Sequence, residues 1–450
     1  MPLVFIHDSL LLAADPQIVL PCVGAALALL FVVFSLLGAR KRRLIETVPT
    51  CKTAGVFIGL VEIKGTAEAE QPLRSYLAAV PCVHYSWSVQ ERWSRTVTES
   101  YTDSQGKRRT RTRRESGWST VASGGEQMSF YLRDETGVVR VDPAKATIED
   151  TEVFGKYCGR SDPLYYAKGP AHAVSHSDHY RHFRESAIPL HRPLYVMGKA
   201  RLREDVVAPE IAYHRDAPLF LISTRSEERI TRGLKWQTWV LGVLALVSAV
   251  GAWMAGDRAV HVDLASRIST YLMVALVAGL VWTLGWVWMV YNSLVRLSHR
   301  VEQAWSNVDV QLKRRADLIP SLVKVAEGLK DYEGTLQEQL AILRSQVAPT
   351  APGRPGPDPQ GCAAQVAAII EKYPELEADE AFLGLQEELI ATEQRIALAR
   401  AYYNEIVSFH NARLEIVPDR YVAVLAGLKP RRFITAEDFE RAAVEVQLAE

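Results

Sequence analysis

The chain is poor in cysteine. Cys22, Cys51, Cys82, Cys158 and Cys362 are all it has in 450 residues; no two are close, and there is no CxxC. That excludes a zinc ribbon and a disulfide scaffold, and scattered single thiols fit a reducing compartment. A surplus of either charge is also missing. The 52 Lys+Arg against 52 Asp+Glu exclude a generally basic nucleic-acid binder and an acidic tail. The first 16 residues hold Asp8 and Asp15 and no Lys or Arg. With no positive n-region before it, the apolar run that follows reads as an anchor and not as a cleavable signal. Finally, charge is missing altogether from residues 17–39, 236–256 and 268–295, windows of 23, 21 and 28 residues. A bilayer is crossed by about 20 apolar residues in a helix. The sequence therefore predicts transmembrane helices at 17–39, 236–256 and 268–291, with 1–16 and 257–267 as short external segments.

Positive charge borders these windows unevenly. Arg40, Lys41, Arg42 and Arg43 follow the first; Arg225, Arg229, Arg232 and Lys235 precede the second; Arg296 and Arg300 follow the third. Basic residues stay on the cytoplasmic side. The expected topology thus has the N-terminus outside and residues 40–235 and the C-terminal part inside, in a multi-pass prokaryotic inner-membrane protein. On that arrangement Cys51, Cys82, Cys158 and Cys362 are expected to resist membrane-impermeant thiol reagents. Residues 40–235 carry 32 Lys+Arg against 24 Asp+Glu, whereas 292–450 carry 18 against 24, so the two internal parts have opposed net charge.

Residues 53–225 read as strands. Val83, Tyr85, Trp87 and Val89 alternate with His84, Ser86 and Ser88, the period of a half-buried strand. Segments 129–133 and 138–141 flank Asp134-Glu-Thr-Gly137, a hairpin signal. Segments 194–198 and 219–223 supply two more strands. Only short helices fit, one around 72–79, and a compact β-barrel or sandwich follows. Pro72-Leu-Arg-Ser75, Pro81-Cys-Val-His-Tyr-Ser-Trp87, Asp134-Glu-Thr-Gly-Val-Val-Arg-Val-Asp142, Arg184-Glu-Ser-Ala-Ile-Pro189 and Leu194-Tyr-Val-Met-Gly198 resemble the GIDE domain. That domain lies between two membrane spans in mitochondrial RING-type E3 ubiquitin ligases and also occurs in prokaryotic proteins. The resemblance covers about 50–235. In the ligases a C-terminal RING finger carries the chemistry, and a RING needs eight Cys/His ligands around two zincs. Beyond residue 291 this chain has one cysteine, Cys362, and two histidines, His299 and His410. The RING is absent, and ligase activity does not transfer with the resemblance.

Two runs inside this region are candidate binding sites. Lys107, Arg108, Arg109, Arg111, Arg113 and Arg114 place six positive charges in eight residues. Such a run suits anionic lipid headgroups, at about 1 kcal/mol per basic residue near the surface. No aromatics are interleaved to stack bases, and the plainer reading is a solvated loop between strands at Trp93 and Trp118. His172, His176, His179 and His182 put four imidazoles within 11 residues. On a helix the first three would share a face and could ligate a borderline metal. Gly169-Pro170 and the surrounding serines favour a polar, flexible insertion instead. Ser175, Ser177 and Asp178 are near these histidines only along the chain, which does not make a triad. No catalytic residue, cofactor or metal is assigned.

After the third window the period becomes helical. Leu294, Leu297, Val301, Trp305, Val308 and Leu312 form one stripe continuous with the span. Pro320 ends or kinks this helix, and a second continues through Leu322, Val325, Leu329, Leu336, Leu340 and Leu343. A Pro/Gly-rich loop at 349–361 precedes a long helix from about 379 to 415, with Leu385, Leu389, Ile396, Tyr403 and Ile406 on one side. A further helix starts near Pro418, and 428–433 closes the core. This is an antiparallel bundle. Tyr291-Asn-Ser-Leu-Val295, Arg300-Val-Glu-Gln-Ala-Trp305, Asp309-Val-Gln-Leu-Lys-Arg-Arg315, Asp317-Leu-Ile-Pro320, Tyr373-Pro-Glu-Leu376, Leu385-Gln-Glu-Glu-Leu389, Thr392-Glu-Gln-Arg-Ile396, Ala399-Arg400, Tyr403-Asn404, Asn411 and Phe433 closely resemble the LemA family over about 287–435. The resemblance implies a membrane-anchored cytoplasmic bundle without established enzyme activity, here with two extra spans and a GIDE-like domain ahead of it. Asp309, Arg314, Arg315 and Asp317 tempt a catalytic reading. Arg314 and Asp317 are more ordinarily i,i+3 partners, and near Pro320 these side chains would satisfy freed backbone groups.

The expectation is an α+β membrane protein: three transmembrane helices, a GIDE-like domain at 50–235, a LemA bundle at 292–435 and a tail at 436–450. Its function is that of a non-enzymatic scaffold whose partners are membrane lipids, an unknown protein and, as an option, further copies of itself, but not nucleic acid. The alternatives are an accessory component of a ligase-like system and a lipid- or metal-responsive sensor.

Overall fold

A computed structural model describes residues 16–102, 107–203, 206, 208–328 and 380–434. The helices it contains, in chain order, are α1 (Pro16–Ile45), α2 (Leu164–Ala167), α3 (Glu227–Ala259), α4 (Ile268–Gly328), α5 (Glu380–Glu415) and α6 (Asp419–Leu425). The chain divides into two compact units, Met1–Pro49 with Glu227–Glu450, and Thr50–Ser226. The fold is the mixed one expected: apolar helices, β-sheets and a helical C-terminal region. The second helix of the bundle beyond Gly328, the 349–361 loop, Cys362, the Tyr373 motif and both chain ends lie outside the described residues.

In the first unit, α1, α3 and the start of α4 are long and apolar enough to cross a membrane. Lipid tails give apolar helices no hydrophobic reason to associate, so close packing of small residues holds such helices together. Gly24 on α1 permits this against α3: a Cβ there would stand 2.1 Å from the Ala252 Cβ and 2.8 Å from the Ser248 carbonyl oxygen. Eleven residues on, the Ser35 hydroxyl donates to the Thr238 carbonyl at 2.9 Å. Gly24 with Ala252 and Ser35 with Thr238 make α1 and α3 antiparallel. Ser35 also accepts from Trp282 Nε1 at 3.5 Å, and Ala39 shares a core with Met289 and Val290, so α1 and α4 run parallel.

Helix α4 runs unbroken for 61 residues, out of the apolar window and through Pro320, about 90 Å at 1.5 Å per residue. The expected end at Pro320 does not occur. Leu294, Leu297, Val301 and Val308 are buried along one stripe. Helix α5 packs on it in the opposite sense: Trp305 meets Tyr403 edge-on at 5.3 Å, and further along α4, Arg315 reaches back to Glu393 at 3.4 Å. The stripe of α5 holds buried Leu389, Ile396, Tyr403 and Ile406.

The second unit contains two sheets. Strands β1 (Gly59–Glu68), β5 (Phe130–Arg133), β6 (Val138–Val141), β11 (Pro209–Ala212) and β10 (Pro193–Leu202) pair in a closed circuit, β10 returning to β1, while β12 (Leu221–Ser223) and β7 (Thr147–Glu149) extend from β10. Val61, Ile63, Phe130, Leu132, Val141, Val196, Ile211 and Ile222 fill this small barrel. The 134–137 turn is organised by a side chain: Asp134 Oδ1 accepts from the Thr136 amide at 2.7 Å and the Gly137 amide at 3.1 Å, and Oδ2 accepts from the Thr53 amide at 2.8 Å. Burial pushes the Asp134 carboxyl up, but these bonds from Thr53 and Thr136 outweigh it and hold the group below its usual range.

The other sheet runs β2 (Leu73–Arg74), β3 (Pro81–Thr102), β9 (Ser177–Pro189), β8 (Thr151–Gly159), with β4 (Arg108–Gln127) also on β3. Val83, Tyr85 and Val89 are buried and Ser86 is exposed, as the alternation predicts. Residues 72–79 are not helical. They form β2 and a single turn closed by the Ala79 amide on the Ser75 carbonyl at 3.1 Å, and the Glu185 carboxylate accepts from the amides of Leu77 at 2.9 Å and Ala78 at 2.8 Å that this turn leaves free.

Candidate functional sites

In the helical unit the charged residues following the first window are partly committed. Arg43 is buried, and its two terminal nitrogens donate to the Asp419 carboxylate at 2.6 and 2.7 Å. Asp419 is the first residue of α6 and is also buried. Arg413, on the last turn of α5, donates to Glu46 at 2.8 Å and approaches Asp419 at 3.6 Å. Two buried charges persist only when paired in good geometry, and this pair is bidentate. The run at 40–43 is therefore more than a positive flank, since one of its members joins the base of the first span to the start of α6. Arg300 donates to Thr47 at 3.4 Å, and burial pushes its guanidinium down to about 10.

Deeper in the bundle, Arg314 pairs with Glu388 and Arg315 with Glu393. Both arginines bridge α4 to α5. The expected Arg314–Asp317 pair gives way to these longer-range bonds. Asn404 and Asn411 lie two turns apart on α5. Each uses its amide as a peptide would: Asn404 donates to the Ile434 carbonyl at 2.9 Å and accepts from the Ile434 amide at 2.8 Å, and Asn411 does both with Arg431 at 2.9 Å. Tyr403 adds a bond to the Arg432 carbonyl at 3.1 Å. These residues thus pin an extended segment. Phe433 itself is exposed, so the segment is secured by its backbone and not by that ring closing the core. His410 is buried beside Asn411, and burial depresses its imidazole below the ordinary value of 6.5.

In the β unit an ionic network lies at the sheet's core face. Glu91, Arg181 and Glu185 are fully buried. Glu91 accepts from Arg181 Nε at 3.2 Å and Nη2 at 3.1 Å, from the Tyr165 hydroxyl at 2.9 Å and from the Ser177 hydroxyl. Arg181 also donates to the carbonyls of Tyr165, Pro170 and His172 at 2.8, 2.9 and 3.2 Å and lies 3.9 Å over the Tyr165 ring. Burial works against the Glu91 carboxylate, but its bonds from Ser177, Tyr165 and Arg181 hold it below its usual range. Every group faces a fixed partner, which is the chemistry of a staple fastening 165–172 to the sheet. No sequence pattern announced it, because its members come from β3, α2 and β9.

The four histidines do not converge. The helix that a shared face requires is not formed: Ser177 begins β9, and His176 and His179 have φ of 59° and 55°. His172 contributes its carbonyl to Arg181, and His182 stacks on Tyr157 at 3.9 Å. Among the described residues no group of three His, Cys, Asp or Glu is placed to hold a metal ion. Residues 169–176 are irregular, as a polar insertion would be, with the Pro170 and His172 carbonyls held by Arg181.

The basic run is not a loop. Arg108, Arg109, Arg111, Arg113 and Arg114 lie in β4, paired residue by residue with 96–102 of β3. The partnership of β3 with β9 stops at Trp93 and Ser177, so from Ser94 a two-stranded ribbon projects about 30 Å at 3.3 Å per residue. Arg95 bonds Glu115 across it at 2.8 Å and lies 5.7 Å over Trp93. Trp93 in turn lies over Gly117, where a Cβ would stand 2.9 Å from the ring. On the same face as Arg114, two residues and four residues along β4, come Ser116 and Trp118. Trp118 gathers Tyr157, Tyr180 and His182 within 6.2 Å. Aromatics missing from the linear run are thus supplied by the fold, and Tyr157 is stacked on His182 and parallel to Tyr180. Trp118, Tyr157 and Tyr180 are each exposed, a mixed aromatic surface of the kind that sits at an apolar–polar boundary.

Together these features define a membrane-associated protein with a barrel-containing β unit inserted between its first two apolar helices and a helical bundle continuous with its third. Comparison with known proteins agrees. Residues 304–448 match the LemA family, and residues 98–256 match the GIDE family, described as E3 ubiquitin ligase; the chain joins a GIDE-type region to a LemA-type region. It is also similar to magnetosome proteins MamQ 1 and MamQ 2 of Paramagnetospirillum magneticum, each 23% identical over 188 residues that cover 35% of this chain and 69% of theirs.

Proposed function

We propose that the protein is a non-enzymatic scaffold of a prokaryotic inner membrane that holds its β unit and its bundle at the cytoplasmic face. The observation that carries this reading is the up-down-up order of the three apolar helices. Because α1 is antiparallel to α3 and parallel to α4, the chain leaves α1 at Ile45, returns at Glu227 and exits along α4 at one and the same end. Arg225, Arg229, Arg232, Arg296 and Arg300 mark that end as the positive one, which favours the cytoplasm. Its charged clusters are paired structural networks; where a hydroxyl does meet an imidazole, Ser177 Oγ at 3.4 Å from His179 Nδ1, the hydroxyl donates its proton to the buried Glu91 and not to the imidazole. In a membrane near its β unit, the arginine ribbon and the Trp118 cluster support contact with anionic headgroups.

The matched GIDE description favours a second reading, an accessory role beside a separate ligase. In-membrane crosslinking followed by affinity purification separates the two. A scaffold captures protein partners on exposed bundle or β-unit positions, and the purified chain leaves a charged conjugating enzyme intact. Discharge of ubiquitin by the purified chain would overturn the proposal, and a conjugating enzyme among the captured partners would favour the second reading.

A further inference from the structure

Helix α6 is short, but its depth is fixed. Its buried side, Val422 and Ala423, packs with Met289, Val290 and Leu294 of α4, Ala39 of α1 and Leu414 of α5. Ala39 closes the first charge-free window, and 289–294 are its last turns in the third. The Arg43–Asp419 pair fastens the start of α6 to the same level. There a bilayer changes from acyl chain to headgroup.

The opposite side of α6 is apolar and uncovered. Tyr421, Val424 and Leu425 recur at spacings of three and one on a single face of the helix, Val417 stands in the turn that precedes it, and the four are 65%, 71%, 86% and 61% exposed. Arg420 and Lys429, both exposed, flank that face with positive charge. Monomeric soluble surfaces seldom gather large apolar side chains at such exposure. An apolar face bordered by cations is what a helix lying in the membrane interface presents.

We propose that α6 is an interfacial helix, with Val417, Tyr421, Val424 and Leu425 seated among the lipid chains next to the headgroups. The bundle is then attached to the bilayer at two places, through α4 and through α6, and the Arg43–Asp419 pair sets the depth of the second. This rests on the reading of α1, α3 and α4 as membrane spans. Continuity with the span ends selects the bilayer as the occupant over a second copy of the chain.

Spin-label accessibility in nanodiscs containing anionic lipid tests this on the full chain. Cys22→Ala and Cys362→Ala remove two thiols, and Cys51, Cys82 and Cys158 are buried. Leu425→Cys is compared with Leu280→Cys in the third span and Val310→Cys on the bundle, all three exposed positions. Higher access to oxygen than to a nickel chelate at both 425 and 280, with the reverse at 310, is expected. Chelate access at 425 with oxygen access at 280 would overturn the interfacial helix and leave the spans intact. Low access to both reagents at 425, with dipolar broadening between labels, would put a second copy on this face and also overturn it. Chelate access at 280 would remove the spanning reading and the inference together.

Discussion

Buried charge is the costliest feature at the residue scale, and this chain buries it in separate units. Removing one partner of such a pair costs about 3–5 kcal/mol, because the other charge is left dry. Arg43→Ala should fall at the lower end of that range, since Arg413 stays 3.6 Å from Asp419. Thermal unfolding of the helical unit in nanodiscs should show the loss, and Arg43→Met with Asp419→Leu should recover most of it. Equal loss in single and double variants would mean the pair is not coupled. His410 adds a pH dependence of known sign. Its folded imidazole lies below 6.5, so above about 6.5 both folded and unfolded chains are neutral there. As pH falls below 6.5 the unfolded chain takes a proton that the folded one resists, and stability declines. Melting between pH 8 and 5 should therefore drop less steeply in His410→Gln than in the parent chain. Thiols bear on topology. Burial first, then Asp134, pushes the Cys51 thiol up to about 12, and burial with Glu185 takes Cys82 to about 11. These cysteines should resist reagents even after lysis, so their silence in intact cells does not report which side of the membrane they occupy.

At the scale of elements, the ribbon and the helix pair make opposite demands. An isolated two-stranded ribbon is marginal in water, and 94–116 has little apolar surface to bury. Replacing Arg108, Arg109, Arg111, Arg113 and Arg114 by Gln should leave the melting of the β unit unchanged and reduce binding of the full chain to anionic vesicles, most at low salt. Unchanged vesicle binding, or equal loss on neutral vesicles, would remove the headgroup role. The α1–α3 contact tolerates no growth: Gly24→Leu, with 2.1 Å available, should cost about 1–3 kcal/mol and loosen the α1–α3 crosslink formed between cysteines placed at Ser35 and Thr238. Periodicity made some of these elements readable. The alternation at 83–89 and the stripe from Leu294 to Val308 report burial directly. The ribbon was not readable, because its charges look the same in a loop as in a strand supported by pairing alone. Of the end or kink expected at Pro320, the end does not occur, for a related reason: propensity acts locally, and packing of α4 on α5 carries the helix through.

At the scale of the whole molecule, the two joined regions were legible from motifs spread along the chain. The networks that stabilise them were not. Glu91 with Arg181 and Arg43 with Asp419 are 90 and 376 positions apart, and no local pattern pairs such residues. Asn404 and Asn411 were visible as matching residues, but their task as peptide mimics depends on a segment 20 to 30 residues away. The central claim is that three spans leave the β unit and the bundle on one face, the cytoplasmic one. Exposed Val138 on β6 and Val310 on α4 report it when each is replaced by Cys in a Cys22→Ala, Cys362→Ala background. Labelling with a membrane-impermeant maleimide, before and after lysis of spheroplasts, is the direct measurement. Both positions should be protected in intact cells and labelled after lysis; labelling of one but not the other before lysis, or of both, would contradict the account.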